Sequence, residues 1–120
     1  MQRHVVTITT DASGDFTGHT VVTNGLVHAV RFVDTDLDAT ADITLTCGAS
    51  GMAILTMTDQ ANTGTYQPQG ATHSTAGAAA LYAAGGTAVL APIPVADETI
   101  KVVVAQGGNV KTGTLHIYVG

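Results

Sequence analysis

The sequence is short of charge, of aromatic side chains and of cysteine. Only 11% of its 120 residues are Asp, Glu, Lys or Arg, against about 25% in ordinary soluble domains. Four basic residues, Arg3, Arg31, Lys101 and Lys111, stand against nine acidic ones. Binding a phosphate backbone takes several clustered cations, so nucleic acid is excluded as a direct partner, and an anionic membrane surface with it. No apolar run approaches the roughly 18 residues of a spanning helix. The first ten residues alternate polar and apolar, unlike the apolar region of a secretory signal. Cys47 has no second cysteine, so no internal disulfide is expected, and synthesis in a reducing cytosol is. Tryptophan is absent. The aromatic platform of a carbohydrate-binding module would have to come from three tyrosines and two phenylalanines.

What is present is apolar and small. Hydrophobic residues make up 45% of the chain, and there are 14 glycines. This composition fits one ordered domain over residues 1–120 rather than a disordered chain. A period of two dominates. Val6 and Ile8 share a face. Leu26, His28, Val30 and Phe32 alternate with Val27, Ala29, Arg31 and Val33. The same pattern marks Ile43 to Cys47, Ala53 to Thr58, Ile100 to Val104 and Leu115 to Val119. Such Val-, Ile- and Thr-rich runs are half-buried strands. Asp11-Ala-Ser-Gly14, Asn24-Gly25, Gly48-Ala-Ser-Gly51 and Gly107-Gly108-Asn109 supply turns between them. The expected fold is all-β: a single antiparallel β-sandwich, jelly-roll-like, or a small barrel.

The middle differs. Residues 59–98 hold five glycines and all three prolines, which is too long for an idle loop in a compact domain. Ala76 to Ala84 has enough alanine for two helical turns, although its flanking glycines oppose them. An extended arm with a short strand at Thr87 to Leu90 reads equally well, with Pro92 and Pro94 forcing an extended path. Small side chains lose little rotamer entropy when ordered against a partner. The stretch therefore predicts an insertion that reaches over a neighbouring molecule. Its larger apolar groups, Tyr66, Pro68, Leu81, Tyr82, Val89, Leu90 and Ile93, are the candidate interface residues. The alternative is that they pin the loop to its own domain.

Chemistry-bearing patterns are incomplete. Asp34-Thr-Asp36-Leu-Asp38 begins like a calcium loop, but Ala39 stands where glycine is needed and Leu45 where the bidentate glutamate is needed. His4, His19, His28, His73 and His116 lack zinc spacing. The sequence around Ser50 misses the nucleophile-elbow pattern because Met52 replaces its second glycine. Cys47 continues the Ile43/Leu45 face as a small hydrophobe, with no adjacent charge to activate a thiolate. Gly108 to Gly113 lacks the Gly-Lys-Ser/Thr order of a P-loop. Asp97 and Glu98 are neighbours and so point to opposite faces of a strand. No catalytic residue, cofactor or metal site is expected, and the chain reads as a non-enzyme.

Residues Thr65-Tyr-Gln-Pro-Gln69, Ala71 to Ala79, Pro92 to Ala96, Ile100 to Asn109 and Lys111 to Val119, with the Asp42 to Thr46 strand, resemble segments of small tailed-bacteriophage virion structural proteins. The resemblance covers roughly residues 40–119. Relatives often carry an aromatic beside the Tyr66 position and an arginine after the proline, where this chain has Thr65 and Gln69. The resemblance implies a component of the virion head, made in the cytoplasm of a bacterial host. A small acidic β protein in that setting is similar to a capsid decoration, or cement, protein. Such proteins bind the outside of the major capsid protein lattice as homo-oligomers, often trimers. A head–tail joining (neck) component and a carbohydrate-binding surface module are the other readings.

Overall fold

The computed structural model describes residues 1–60 and 62–120. Ten strands follow in chain order. They are β1 (Gln2–Thr9), β2 (Phe16–His19), β3 (Thr23–Asp34), β4 (Asp42–Cys47) and β5 (Ala53–Met57), then β6 (Gly64–Tyr66), β7 (Gln69–Ala71), β8 (Leu90–Glu98), β9 (Ile100–Ala105) and β10 (Thr112–Val119). There is no helix among the described residues. Ala76–Ala84 is not helical, because glycines on both sides leave its one short alanine run without a neighbouring turn to propagate from.

Two antiparallel sheets pack face to face. One runs β1-β10-β3-β8-β7, with β6 on the same edge of β3 as β8; the other runs β2-β9-β4-β5. The pairs β1/β10, β2/β9, β3/β8 and β4/β5 are nested. A long hairpin rolled on itself gives this pairing, and it is the pairing of a jelly roll. The chain is thus a jelly-roll β-sandwich.

The core lies between the sheets. Val6, Ile8, Val27, Val30, Phe32, Leu115, Ile117 and Val119 from one side meet Ile43, Leu45, Cys47, Ile100, Val102 and Val104 from the other. Period-2 patterning places most of these correctly, but three strands change phase, β8 among them, where Ala96 and Asp97 stand opposite the single Asn24. Ala29 faces Tyr118 while Val27 faces Val119, so His28 is an extra residue on β3. Likewise Leu45 faces Leu55 while Thr46 faces Ala53, which makes Ile54 the extra residue on β5. A bulge flips the faces beyond it. Val27 and Ile54 are therefore buried, whereas Leu26 and Ala53 are exposed.

The 59–98 stretch divides. β6 pairs with β3 through Val30–Tyr66, Arg31–Thr65 and Phe32–Gly64. Ile93 to Glu98 of β8 pair with the start of β3, and Val95 is buried in the core. Both segments belong to the sandwich. The protruding part is the shorter stretch between Pro68 and Ile93, held at its base by β7 against β8. Pro94 fits β8 because Leu26, opposite it, spends its own N–H and C=O on Gly120 at 3.1 and 3.0 Å. No ladder bond is lost there to the missing proline donor. The radius of gyration is 15.5 Å and the long axis 48 Å, whereas a compact chain of this length has a radius near ~14 Å.

Truncating one fully buried residue measures the core. Ile117→Ala is expected to destabilise the fold by about 2–5 kcal/mol with little change in m-value. Urea unfolding monitored by far-UV circular dichroism checks this.

Candidate interaction surface

The end of the sandwich where β1 meets β2 and β3 meets β4 gathers most of the acid. Asp11, Asp15, Asp34, Asp36, Asp38, Asp42 and Asp59 stand on its loops. Four of these carboxylates close loops. Asp11 Oδ1 accepts from the N–H groups of Ser13 and Asp15 at 2.8 and 3.0 Å. Asp34 Oδ1 accepts from Leu37 N–H at 3.1 Å. Asp36 Oδ1 accepts from Thr112 N–H at 2.7 Å, and Asp42 Oδ1 from Asp59 N–H at 3.0 Å. The loops interlock tightly: Gly107 N–H donates to Gly14 O at 2.9 Å, and a Cβ on Gly14, at φ +83°, would sit 2.9 Å from Gly108 N. Among the described residues no three His, Cys, Asp or Glu side chains converge as a metal site would. Within this stretch the carboxylates of Asp34, Asp36 and Asp42 act as acceptors for backbone amides.

At the opposite end Glu98, 8% exposed, organises the β4–β5 turn. Its Oε1 accepts from Ala49 and Ser50 N–H at 2.9 and 2.8 Å, and Ser50 Oγ donates to Oε2 at 3.1 Å. The Ser50 amide, then the Ala49 amide and the Ser50 hydroxyl, hold its carboxyl below the usual range against the opposing effect of burial. Cys47 is buried beside this turn; burial, and secondarily the Glu98 charge, pushes its thiol up. Ser50 is therefore a carboxylate ligand and Cys47 a packed, protonated core residue, and neither is set up as a nucleophile. An open groove of about 450 Å³ lies at this end between Gln2, Val22, Asn24 and Gly120, away from the protruding segment.

His28 Nε2 lies 2.8 Å from Gly120 O. His116 faces outward from β10, opposite Val5 on β1 and Arg31 on β3, with Nδ1 shielded and without a partner among the described residues. These two histidines lie on the same sheet but are not brought together as ligands.

The protruding segment has its own architecture. Beyond the last β7–β8 pair, Ala71–Leu90, the chain splits into two small loops, closed by the bridges His73–Ala79 and Leu81–Ala88. Where stem and loops meet, three backbone amides form a ring. Thr72 N–H donates to Val89 O at 2.9 Å, Val89 N–H to Ala80 O at 2.9 Å, and Ala80 N–H to Thr72 O at 3.0 Å. The Thr72 hydroxyl reinforces it at 2.9 Å to Val89 O. Ser74 and Gly77 turn the first loop and Ala83 and Gly86 the second, each through an i to i+3 bond. Gly77 and Gly85 take positive φ, at +79° and +68°, which glycine adopts at little cost. The arm is shaped by backbone hydrogen bonds. No residue from 69 to 94 is buried, and no Asp, Glu, Lys or Arg stands between Asp59 and Asp97.

The seven candidate interface residues fall into two groups. Tyr66 and Ile93 pack against the core, Tyr66 also donating its hydroxyl to Gln60 Oε1 at 2.8 Å, and Pro68 is buried. These three tie the arm's base to its own domain. Leu81, Tyr82 and Leu90 are exposed on the arm at 40%, 75% and 48%, while Val89 is half-buried in the ring. Tyr82 is the one largely exposed aromatic ring, so no second ring extends it into a platform for sugars. Sequence reasoning missed the three-way ring, which has no composition signal beyond small residues between glycine turns. It also missed exposed Val21, Val22 and Val110, which lie in loops. Comparison with family models, with curated proteins and with solved structures finds no match to this chain.

Because the Glu98 carboxyl is held below its ordinary value, its contribution is full above the usual carboxylate range, near ~4.3. It is lost as pH falls through the lower folded value. Glu98→Gln is expected to lower stability at neutral pH, with wild type and variant converging on acidification. Urea midpoints measured across a pH series test this.

Proposed function

We propose that this chain is a non-enzymatic structural protein of a tailed-bacteriophage virion: a capsid decoration protein, homo-oligomeric, that binds the outer surface of the major capsid protein lattice and ties its subunits together. The observation that carries this reading is the arm. It is folded by its own backbone bonds, yet from residue 69 to 92 it adds no side chain to the core of its own domain. Ordered, protruding and uncharged surface of this kind is costly to keep in water and suits contact with another protein. The resemblance over residues 40–119 supplies the setting. The same setting contains the neck, and the number of copies per particle separates the two: shell proteins are numerous, neck proteins few.

Mechanically, the protein acts as mortar. Each contact buries modest apolar area at roughly 25 cal/mol per Å², and an ordered lattice multiplies weak contacts through high effective concentration. Turnover plays no part. The acidic loops serve the fold and leave the lattice contact to neutral surface.

The register offers a clean excision. Thr72 N–H already donates to Val89 O across the stem, so replacing residues 73–88 by Asn-Gly closes a two-residue hairpin of the favoured kind on that hydrogen-bonded pair. This variant is expected to fold, with unfolding stability within about 1 kcal/mol of wild type, and to lose binding to purified shells. Co-sedimentation with undecorated particles measures the loss; unchanged occupancy would defeat the assignment of the arm. Excising 62–95 would remove β6 and most of β8, and so would test the sandwich instead.

A further inference from the structure

An open sheet edge is a row of unpaired N–H and C=O groups, and folded proteins guard it with short strands, prolines, bulges or charges turned inward. Among the described residues the strands with a free edge are β1, β2, β5, β6 and β7. β2, β6 and β7 are only three or four residues long, and β5 carries the bulge at Ile54. β1 has none of these guards. It runs for eight residues, Gln2–Thr9, without proline or glycine, and its register against β10 is unbroken. Gln2, His4, Val6 and Ile8, on the side of the core, include no Asp, Glu, Lys or Arg.

The hydrogen bonds show which groups this edge offers. Thr10 N–H donates to Lys111 O at 2.9 Å, in step with the β1–β10 register. Bonding alternates along an antiparallel pair, so the even-numbered residues of β1 bond to β10. The N–H and C=O groups of Arg3, Val5, Thr7 and Thr9 point away from it, to the free edge. Their side chains lie on the outer face of the sheet, and all four residues are exposed.

We propose that β1 pairs antiparallel with β1 of a second copy, about a two-fold axis beside Val6, so that the two larger sheets join into one. This names the contact of the homo-oligomer in the reading above, on which it rests. Any strand would satisfy an open edge, and three features select a second copy. One register matches all four free residues of one chain to all four of the other, Arg3 to Thr9 and Val5 to Thr7, and any shift leaves some unpaired. In that register charge is complementary. Arg3 comes to lie beside the end of the other β1, where the turn from Asp11 to Asp15 carries two carboxylates, and the two Arg3 side chains stand at opposite ends of the contact. Finally, Val5, 51% exposed in the single chain, gains Thr7 of the second copy as its neighbour, and cross-strand pairs of this kind stabilise a sheet. The result is a closed isologous pair that removes two open edges at once. It differs from the trimer that the resemblance implies.

The purified full chain, without shells, is examined by sedimentation velocity over a concentration series. Wild type is expected at twice its 12.1 kDa monomer mass at high concentration. Val5→Pro deletes an N–H that faces the free edge and spares the β1–β10 ladder, as proline does on edge strands. It is expected to run as a monomer with the far-UV circular dichroism of wild type. Cysteines fix the register and decide the matter should the proline variant fail to fold. Opposite residues of a hydrogen-bonded pair have Cα atoms about 5.5 Å apart, within reach of a disulfide. A mixture of chains carrying Val5→Cys with chains carrying Thr7→Cys is therefore expected to cross-link on mild oxidation. Either population alone is not, because its own cysteines would lie roughly 8–9 Å apart. Cys47 is buried and takes no part. Wild type that stays monomeric or forms trimers overturns the proposal. So does a folded Val5→Pro chain that remains paired, or a mixture that cross-links no better than its components. Shell binding is measured separately: a monomer that still decorates particles sinks this inference alone, and a dimer that ignores them sinks the decoration reading alone.

Discussion

The first and last strands of this chain lie side by side, and the rest of the molecule hangs on that pairing. β1 meets β10 along its whole length, from Gln2–Val119 to Thr9–Thr112. Inside that pair, β2 lies against β9, β3 against β8, and β4 against β5. Nested pairing of this kind joins residues far apart in sequence before any local reward accrues. It also dictates where an insertion is tolerated. A segment added at the open end of a nested pair crosses no other connection. The arm grows from such a place, between β6 and β8, both of which lie on the same edge of β3. Its base is then fixed by Tyr66, Pro68 and Ile93 against the sandwich.

Carboxylates do a second kind of work in a protein with so few long side chains. With almost no arginine or lysine to span gaps, loops are tied by acids accepting from backbone amides. Asp11, Asp34, Asp36 and Asp42 each do so at the acidic end, and Glu98 does so at the other. Charge-assisted bonds of this type are stronger than neutral ones. The Asp-rich stretch that resembles the start of a cation loop is accounted for in this way, as is the buried Glu98 at the end of β8.

Strands were legible wherever alternation ran unbroken, as in Ile43 to Cys47, Ile100 to Val104 and Leu115 to Val119. Alternation says which residues share a face, but not where a bulge resets the count, so His28, Ile54 and the Ala96–Asp97 step mark places where periodicity misplaces neighbours. β2, β6 and β7 are too short to show a period at all. The candidate surface was legible in part, since its larger apolar residues stand out against alanine and glycine. Their division was not. Whether Tyr66 or Tyr82 is free depends on β6 pairing with β3 thirty-odd positions away, a tertiary fact with no local trace. Nor does any side-chain pattern encode a ring made only of backbone amides.

That ring explains why an arm of small residues need not be floppy. A disordered loop of this length loses roughly 1–2 kcal/mol of backbone entropy for each residue that a partner fixes, and modest apolar contacts could not offset such a sum. Here the ordering is done within the arm itself. Thr72, Ala80 and Val89 lock three backbone directions together, and each loop closes on its own turn. Alanine at the flanking positions keeps side-chain entropy out of the balance and lets a facing backbone approach closely. The surface is thus ordered by its own bonds, and its exposed residues, Leu81 and Leu90 among them, stand on a fixed backbone. Poverty of charge and of large side chains leaves the shape of the arm to its backbone hydrogen bonds alone.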